Sequence, residues 1–157
     1  TKLMLAYDHR ASYRCAGGDP DGALQDCERG LQLDPGRTSF FVTRAEARIS
    51  KQEFAQADRD ASEALSLYPD NSEALHTRSR ARLSMGDLDG ASADNRRAIE
   101  LEPQAYWYIL QRAHIAQVRK DFPAVVRDCT QALQMSPAHW EGRAFAEHLK
   151  AEAQRSK

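Results

Sequence analysis

The sequence lacks four things, and each lack excludes a class of function. No apolar run approaches the ~18 residues of a membrane span; the longest, residues 105–110, reads as part of a helix. No excess of either charge exists: the formal net charge is -1. That balance gives no general pull toward nucleic acid or an anionic membrane surface. Cys15, Cys27 and Cys129 form no close-spaced pair, which argues against a disulfide framework or a zinc knuckle and favours a reducing, cytoplasmic setting. No glycine-rich phosphate loop, paired catalytic carboxylates or His–Ser arrangement occurs. Gly17 and Gly18 stand together, but no phosphate-binding motif follows them. A non-catalytic protein without cofactor or metal is expected. The chain opens at Thr1 with no signal-peptide pattern.

What is present is periodic. Pro35, Pro69, Pro103 and Pro137 recur at intervals of 34 residues. With these prolines as register, the chain divides into repeats at 4–37, 38–71, 72–105 and 106–139, with a remainder at 140–157. Each repeat reads as two helices around a short turn. Ala, Leu, Glu, Gln and Arg dominate the helix bodies, and interior Gly and Pro are absent from most of them. The 157 residues suit a single domain, 1–157.

The columns of this internal alignment have physical readings. Ala23, Ala57, Ala91 and Val125 sit where two helices approach closely. Tyr7, Phe41, Leu75 and Ile109 place a large apolar group early in each first helix. Leu31, Leu65, Ile99 and Leu133, followed by Leu33, Leu67, Leu101 and Met135, predict an apolar plug at the end of each second helix. Asp19, Glu53, Asp87 and Asp121 are placed to cap second helices and complement their dipoles. The closing proline then stops each helix.

On these residues the sequence resembles the tetratricopeptide repeat family over about nine-tenths of its length. The family's early Trp is replaced by Tyr, Phe, Leu or Ile. Its Leu-Gly pair becomes Arg10-Ala11, Arg44-Ala45, Arg78-Ser79 and Arg112-Ala113. Its later Tyr becomes Arg14, Arg48, Arg82 and Ala116. The resemblance implies an all-α, right-handed solenoid of four helix pairs with a C-terminal cap helix at 140–157.

The arginine column carries information of its own. Asp26, Asp60, Asp94 and Asp128 each follow an arginine by sixteen residues. Facing positions in antiparallel helices predict four ion pairs: Arg10–Asp26, Arg44–Asp60, Arg78–Asp94 and Arg112–Asp128. Phosphate binding by these arginines is the alternative, disfavoured because an Asp follows in every repeat. In the remainder, Trp140, Ala144, Phe145 and Leu149 predict a one-sided apolar stripe that caps the solenoid. Leu3, Met4 and Leu5 begin the other end without such a cap.

In this family the first helices line a concave groove that holds a partner's peptide or helix. Carried over, the groove positions are Asp8, His9 and Ser12, then Thr43, Glu46 and Ser50. His76, Thr77, Arg80 and Ser84 follow, then Trp107, Leu110, Gln111 and His114. Glu141, Phe145 and His148 are contributed by the cap. Chaperone-binding members clamp a partner's terminal carboxylates with Lys, Asn and Arg; the matching positions here are Asp8, Ser12, Thr43, Glu73 and Thr77. None is basic, so an acidic chaperone tail is disfavoured. A partner segment with basic and apolar side chains fits better, with Trp107 as its anchor. The histidines, spaced by repeats, predict no converging metal site. Arg29, Arg59, Arg96, Arg97 and Arg127 alternate with Glu28, Glu63 and Glu100, which reads as a solvated face rather than a nucleic-acid ridge.

The function expected is a protein-interaction scaffold, adaptor or co-chaperone-like. Two alternatives stand beside it: self-association into a homo-oligomer through the N-terminal end, and a recruiting domain within a longer enzyme.

Overall fold

Small and straight-chain residues lose little side-chain freedom in a helix, and the bodies of the repeats are made of them. The computed structural model describes residues 2–140 and 142–156. The described residues form α1 (Lys2–Ala16), α2 (Pro20–Leu33), α3 (Thr38–Ser50), α4 (Phe54–Leu67) and α5 (Ser72–Met85). After these come α6 (Leu88–Leu101), α7 (Tyr106–Val118), α8 (Phe122–Met135) and α9 (Arg143–Arg155).

The helix ends follow from local chemistry. Asp19, Asp87 and Asp121 accept from the backbone N–H of Gly22, Gly90 and Ala124 and so satisfy orphan donors. Glu53 makes no such bond. Its longer side chain instead lies 3.6 Å from Lys51 Nζ. Asn71 caps α5 through the N–H of Ala74. Each second helix stops two residues before its proline, because the residue preceding proline is pushed out of the helical region. At the turn inside each repeat one residue adopts positive φ. Gly18 (φ 81) and Gly86 (φ 83) do so freely, while Gln52 and Lys120 (φ 61 each) do so under strain.

Successive helices pack antiparallel into hairpins, and hairpins stack into a solenoid. The first helices α1, α3, α5 and α7 also touch one another and line the concave side. Ala23, Ala57, Ala91 and Val125 are fully buried at the close approaches. Ser79 enters an otherwise alanine column and is satisfied by donating to the carbonyl of Ala91 at 2.8 Å. The plug forms at six of the eight predicted positions. Leu65 is buried and Leu31, Ile99, Leu101, Leu133 and Met135 are partly so, but Leu33 and Leu67 stand exposed beyond the helix contacts.

The four Arg–Asp pairs fix the register of each hairpin. Arg10 donates Nε and Nη2 to Asp26 at 2.7 and 2.6 Å, and Arg44 donates to Asp60 at 3.0 and 2.6 Å. Arg78 donates to Asp94 at 2.8 and 2.7 Å, and Arg112 to Asp128 at 2.8 and 3.1 Å. All four aspartates are buried. Each also receives a second guanidinium: Arg14 on Asp26 at 2.9 Å, Arg48 on Asp60 at 2.6 Å, and Arg82 on Asp94 at 2.9 Å. Ala116 breaks that column in the fourth repeat, and Arg127 replaces it on Asp128 at 2.9 Å. Two cations on one carboxylate offset the desolvation that a single exposed pair would not repay. The hydrogen bond from Arg10 outweighs burial, which acts in the opposite direction, and holds the Asp26 carboxyl below the usual range.

The stacking is not uniform. Phe40 fits beneath α2 only because position 30 is glycine: a Cβ there would lie 2.1 Å from the Phe40 ring. At the third junction Tyr108 holds the equivalent place and Ala98 stands where the glycine would be. There α7 packs on α6 less extensively than any other helix packs on its predecessor. The cap helix buries Ala146, Leu149 and Ala153 against the fourth repeat. This corrects the predicted stripe, since Ala144 and Phe145 are exposed and the helix starts at Arg143, past Trp140. No helix among the described residues is long and apolar enough to cross a membrane.

Candidate functional site: the concave groove

The N-terminal half of the groove satisfies itself. Asp8 is buried and accepts from Arg37 Nε and Nη2 at 2.9 and 2.7 Å and from Ser39 Oγ at 3.0 Å. That carboxylate ties α1 to the start of α3 and does not face a ligand. Ser12 Oγ lies 3.4 Å from Thr43 Oγ1, and Thr43 is buried. His9 is exposed, and Ser50 turns its hydroxyl back to the carbonyl of Glu46.

The middle carries less settled charge. Glu46 on α3 is partly buried. Burial raises its pKa, Arg80 opposes the rise and Glu73 adds to it. Arg80 on α5 has no carboxylate within salt-bridge distance among the described residues. The thiol of nearby Cys15 is pushed up, mainly by burial. Cys27 and Cys129, buried in the helix packing, are pushed to about 12 and about 11 and are inert.

From the middle toward the C-terminal half, across repeats 2 to 4, the groove opens into a pocket of ≈ 650 Å³. Glu46, Glu73, His76, Glu102, Trp107 and Tyr108 line it, together with Tyr68 and Asp70. Asp70 is neutralised by Arg97 at 2.7 Å. Glu102 accepts only from the hydroxyl of Ser72. The His76 ring lies 5.0 Å from that of Tyr108. Burial first, and the charge of Arg80 second, lower its pKa to about 3. The imidazole is therefore neutral, and its Nδ1 is enclosed without a partner. Thr77 Oγ1 and Gln111 Nε2 are enclosed and unpartnered too. Among the described residues, every buried side-chain polar atom without a partner belongs to repeats 3 and 4.

Trp107 is 44% exposed and stands edge-on to Tyr106 and Tyr108. Tyr106, not Trp107, meets the segment before the cap helix, with its ring 4.8 Å from that of Trp140. Leu110 packs into the C-terminal core rather than the groove surface. His114 meets the exposed Phe145 ring at 6.0 Å, and His148 faces Glu152 at 3.3 Å. Ser84 is exposed at the end of α5. Glu141 lies outside the described residues. The pocket thus joins Glu46, His76 and Trp107, and leaves Asp8, His9, Ser12 and His148 apart. Sequence reasoning missed Glu102 and Tyr108 as pocket walls. Both lie at or after the proline turn, outside the helix face that the repeat pattern marks.

No family model matches the chain, and a search of curated proteins finds no match. Solved structures do match. The first TPR domain of the human RPAP3 protein is 25% identical with a TM-score of 0.70, over 80% of this chain and 94% of that one. The first TPR of Spaghetti (RPAP3), bound to the HSP90 peptide SRMEEVD, is 25% identical with a TM-score of 0.71, over 75% of this chain and 96% of that one. TTC0263, a thermophilic TPR protein in Thermus thermophilus, is 17% identical with a TM-score of 0.82, over 96% and 80%, a likeness of fold. The chain has the fold of these tetratricopeptide repeat domains, with four helical hairpins and a cap helix among the described residues.

Proposed function

We propose that the chain is a non-catalytic scaffold that holds a partner's peptide or helix in the C-terminal half of its groove. The observation that carries this reading is the pocket that joins the exposed Trp107 to His76, whose Nδ1 is enclosed without a partner, and to carboxylates that have no cation within salt-bridge distance among the described residues. A partner with basic and apolar side chains matches the walls. An acidic tail, such as the peptide bound to Spaghetti, does not. At the clamp positions Asp8 is engaged by Arg37, Thr43 and Thr77 are buried, and Glu73 is acidic. Nucleic acid and membranes are not its partners on this reading; Arg97 and Arg127 on the outer face are already paired with Asp70 and Asp128. The free cysteines suit the cytoplasm.

Affinity capture with mass spectrometry, followed by titration of the captured partner, tests this. Trp107→Ala is expected to lower affinity at least tenfold, about 1.4 kcal/mol. Undiminished affinity would remove the groove assignment. A second reading, self-association through α1, is favoured by the exposure of Leu3 (56%), Leu5 (42%) and Tyr13 (82%). Light scattering over a range of concentrations tests it, and a monomer throughout removes it.

A further inference from the structure

We propose that the groove pocket walled by repeats 2, 3 and 4 receives one arginine side chain of the partner. This rests on the groove reading above and makes it specific. The first observation is unmatched charge. Glu46, Glu73 and Glu102 line the pocket, and none has a cation within salt-bridge distance among the described residues. Arg80 stands near enough to bias Glu46 and His76, yet one guanidinium leaves negative charge in surplus. Carboxylates gathered on a partly dehydrated wall disfavour one another's charge, and a bound cation relieves this.

The second observation is independent of that charge. His76 lines the same pocket with its Nδ1 enclosed and unpartnered. A buried polar atom without a partner is costly, and a ligand N–H removes the cost. Because the imidazole is neutral, it does not repel a cation. With its proton on Nε2, the Nδ1 lone pair accepts a hydrogen bond.

The third observation is the shape and chemistry of the walls. Trp107, 44% exposed, presents its ring in the same lining as the carboxylates, backed edge-on by the buried Tyr108. A guanidinium is planar and weakly hydrated, stacks on such rings, and fans its N–H donors toward several acceptors at once. Lysine offers a compact, strongly hydrated ammonium that stacks poorly and meets fewer of the acceptors.

The test is a titration of the whole chain with N-acetyl-arginine amide, followed at the Trp107 indole N–H by NMR. N-acetyl-citrulline amide, the neutral isostere, and N-acetyl-lysine amide run beside it. A saturable shift is expected for arginine, a response at least about threefold weaker for lysine, and none for citrulline. Glu73→Gln and Glu102→Gln are each expected to weaken arginine binding by about three- to tenfold, with thermal melts unchanged. An equal response to citrulline, equal binding of lysine, or indifference to both glutamine variants overturns the arginine site. The two readings separate with the captured partner. If Trp107→Ala weakens it and the glutamine pair does not, the groove stands and the arginine site falls. If neither affects it, both fall.

Discussion

Asp8 on α1 and Glu73 on α5 are both carboxylates at positions that the family's geometry assigns to the groove, and their fates differ. Asp8 is enclosed by two nitrogens of Arg37 and the hydroxyl of Ser39. Glu73 is exposed in the lining of a pocket where Glu46 and Glu102 also have no cation within salt-bridge distance among the described residues, and only Asp70 is paired, with Arg97. The two halves share one frame, the doubled Arg–Asp pairs, yet the first half spends its polar groups on itself. A scaffold presents chemistry where its own groups leave each other unsatisfied, because a satisfied group gains little by exchanging partners.

If the frame is common, breaking it in either half should cost alike. Asp26→Ala and Asp94→Ala each remove a buried carboxylate that two arginines share, Arg82 keeping Asp58, and a loss of about 3 kcal/mol is expected for each, at the low end for a buried pair because the arginines are partly exposed. Urea denaturation measures it. A large inequality would show that the halves differ in frame and not only in finish. Next in size is Asp8→Ala, expected to cost about 1–2 kcal/mol, discounted because Arg37 is a third exposed. It should leave partner affinity unchanged. Glu73→Gln should do the reverse, with an unmoved melt and weaker partner binding; an exchange of these two outcomes would break the comparison.

The acid and base limbs sharpen it further. His76 has a folded pKa lowered from 6.5 to about 3, so the unfolded chain binds more protons between those values. Its stabilising contribution is complete above about pH 6.5 and is lost as pH falls toward 3. His76→Gln should flatten stability over that window, measured by thermal melts at stepped pH. Glu46 is the opposite case. Its pKa is raised from the ordinary 4.5, so the folded state binds more protons and stability falls as pH rises above that value. Glu46→Gln should therefore melt higher than wild type at pH 7 and equally at pH 4. The smallest effect lies in a turn. Gln52→Gly removes a strained positive φ and should gain at most about 1 kcal/mol, with Lys120→Gly alike.

Much of this was legible in the chain. The proline interval, the small residues at the close approaches and the Arg–Asp offset each carry a local or nearest-neighbour rule, and such rules survive without coordinates. The second arginine on each aspartate was also readable, from Arg14, Arg48 and Arg82 at one interval and Ala116 breaking it. The cap stripe misled because a single helix admits two adjacent apolar faces. Ala146, Leu149 and Ala153 match α8 at close range, while the bulky Phe145 does not fit between the helices and meets His114 instead.

By itself the sequence determined the period, the helix pairs, their caps and the ion pairs that set hairpin register. All of these depend on residues within one repeat or its neighbour in the chain. Only the tertiary structure decided that Asp8 is closed off by Arg37, that Tyr106 rather than Trp107 meets the segment before the cap helix, and that Glu46, Glu73, His76 and Glu102 face one pocket. The physical reason is that pairing and desolvation are settled by which side chains from successive repeats share a space. Stacking distance and ring size fix that sharing, as Gly30 under Phe40 and Ala98 under Tyr108 illustrate.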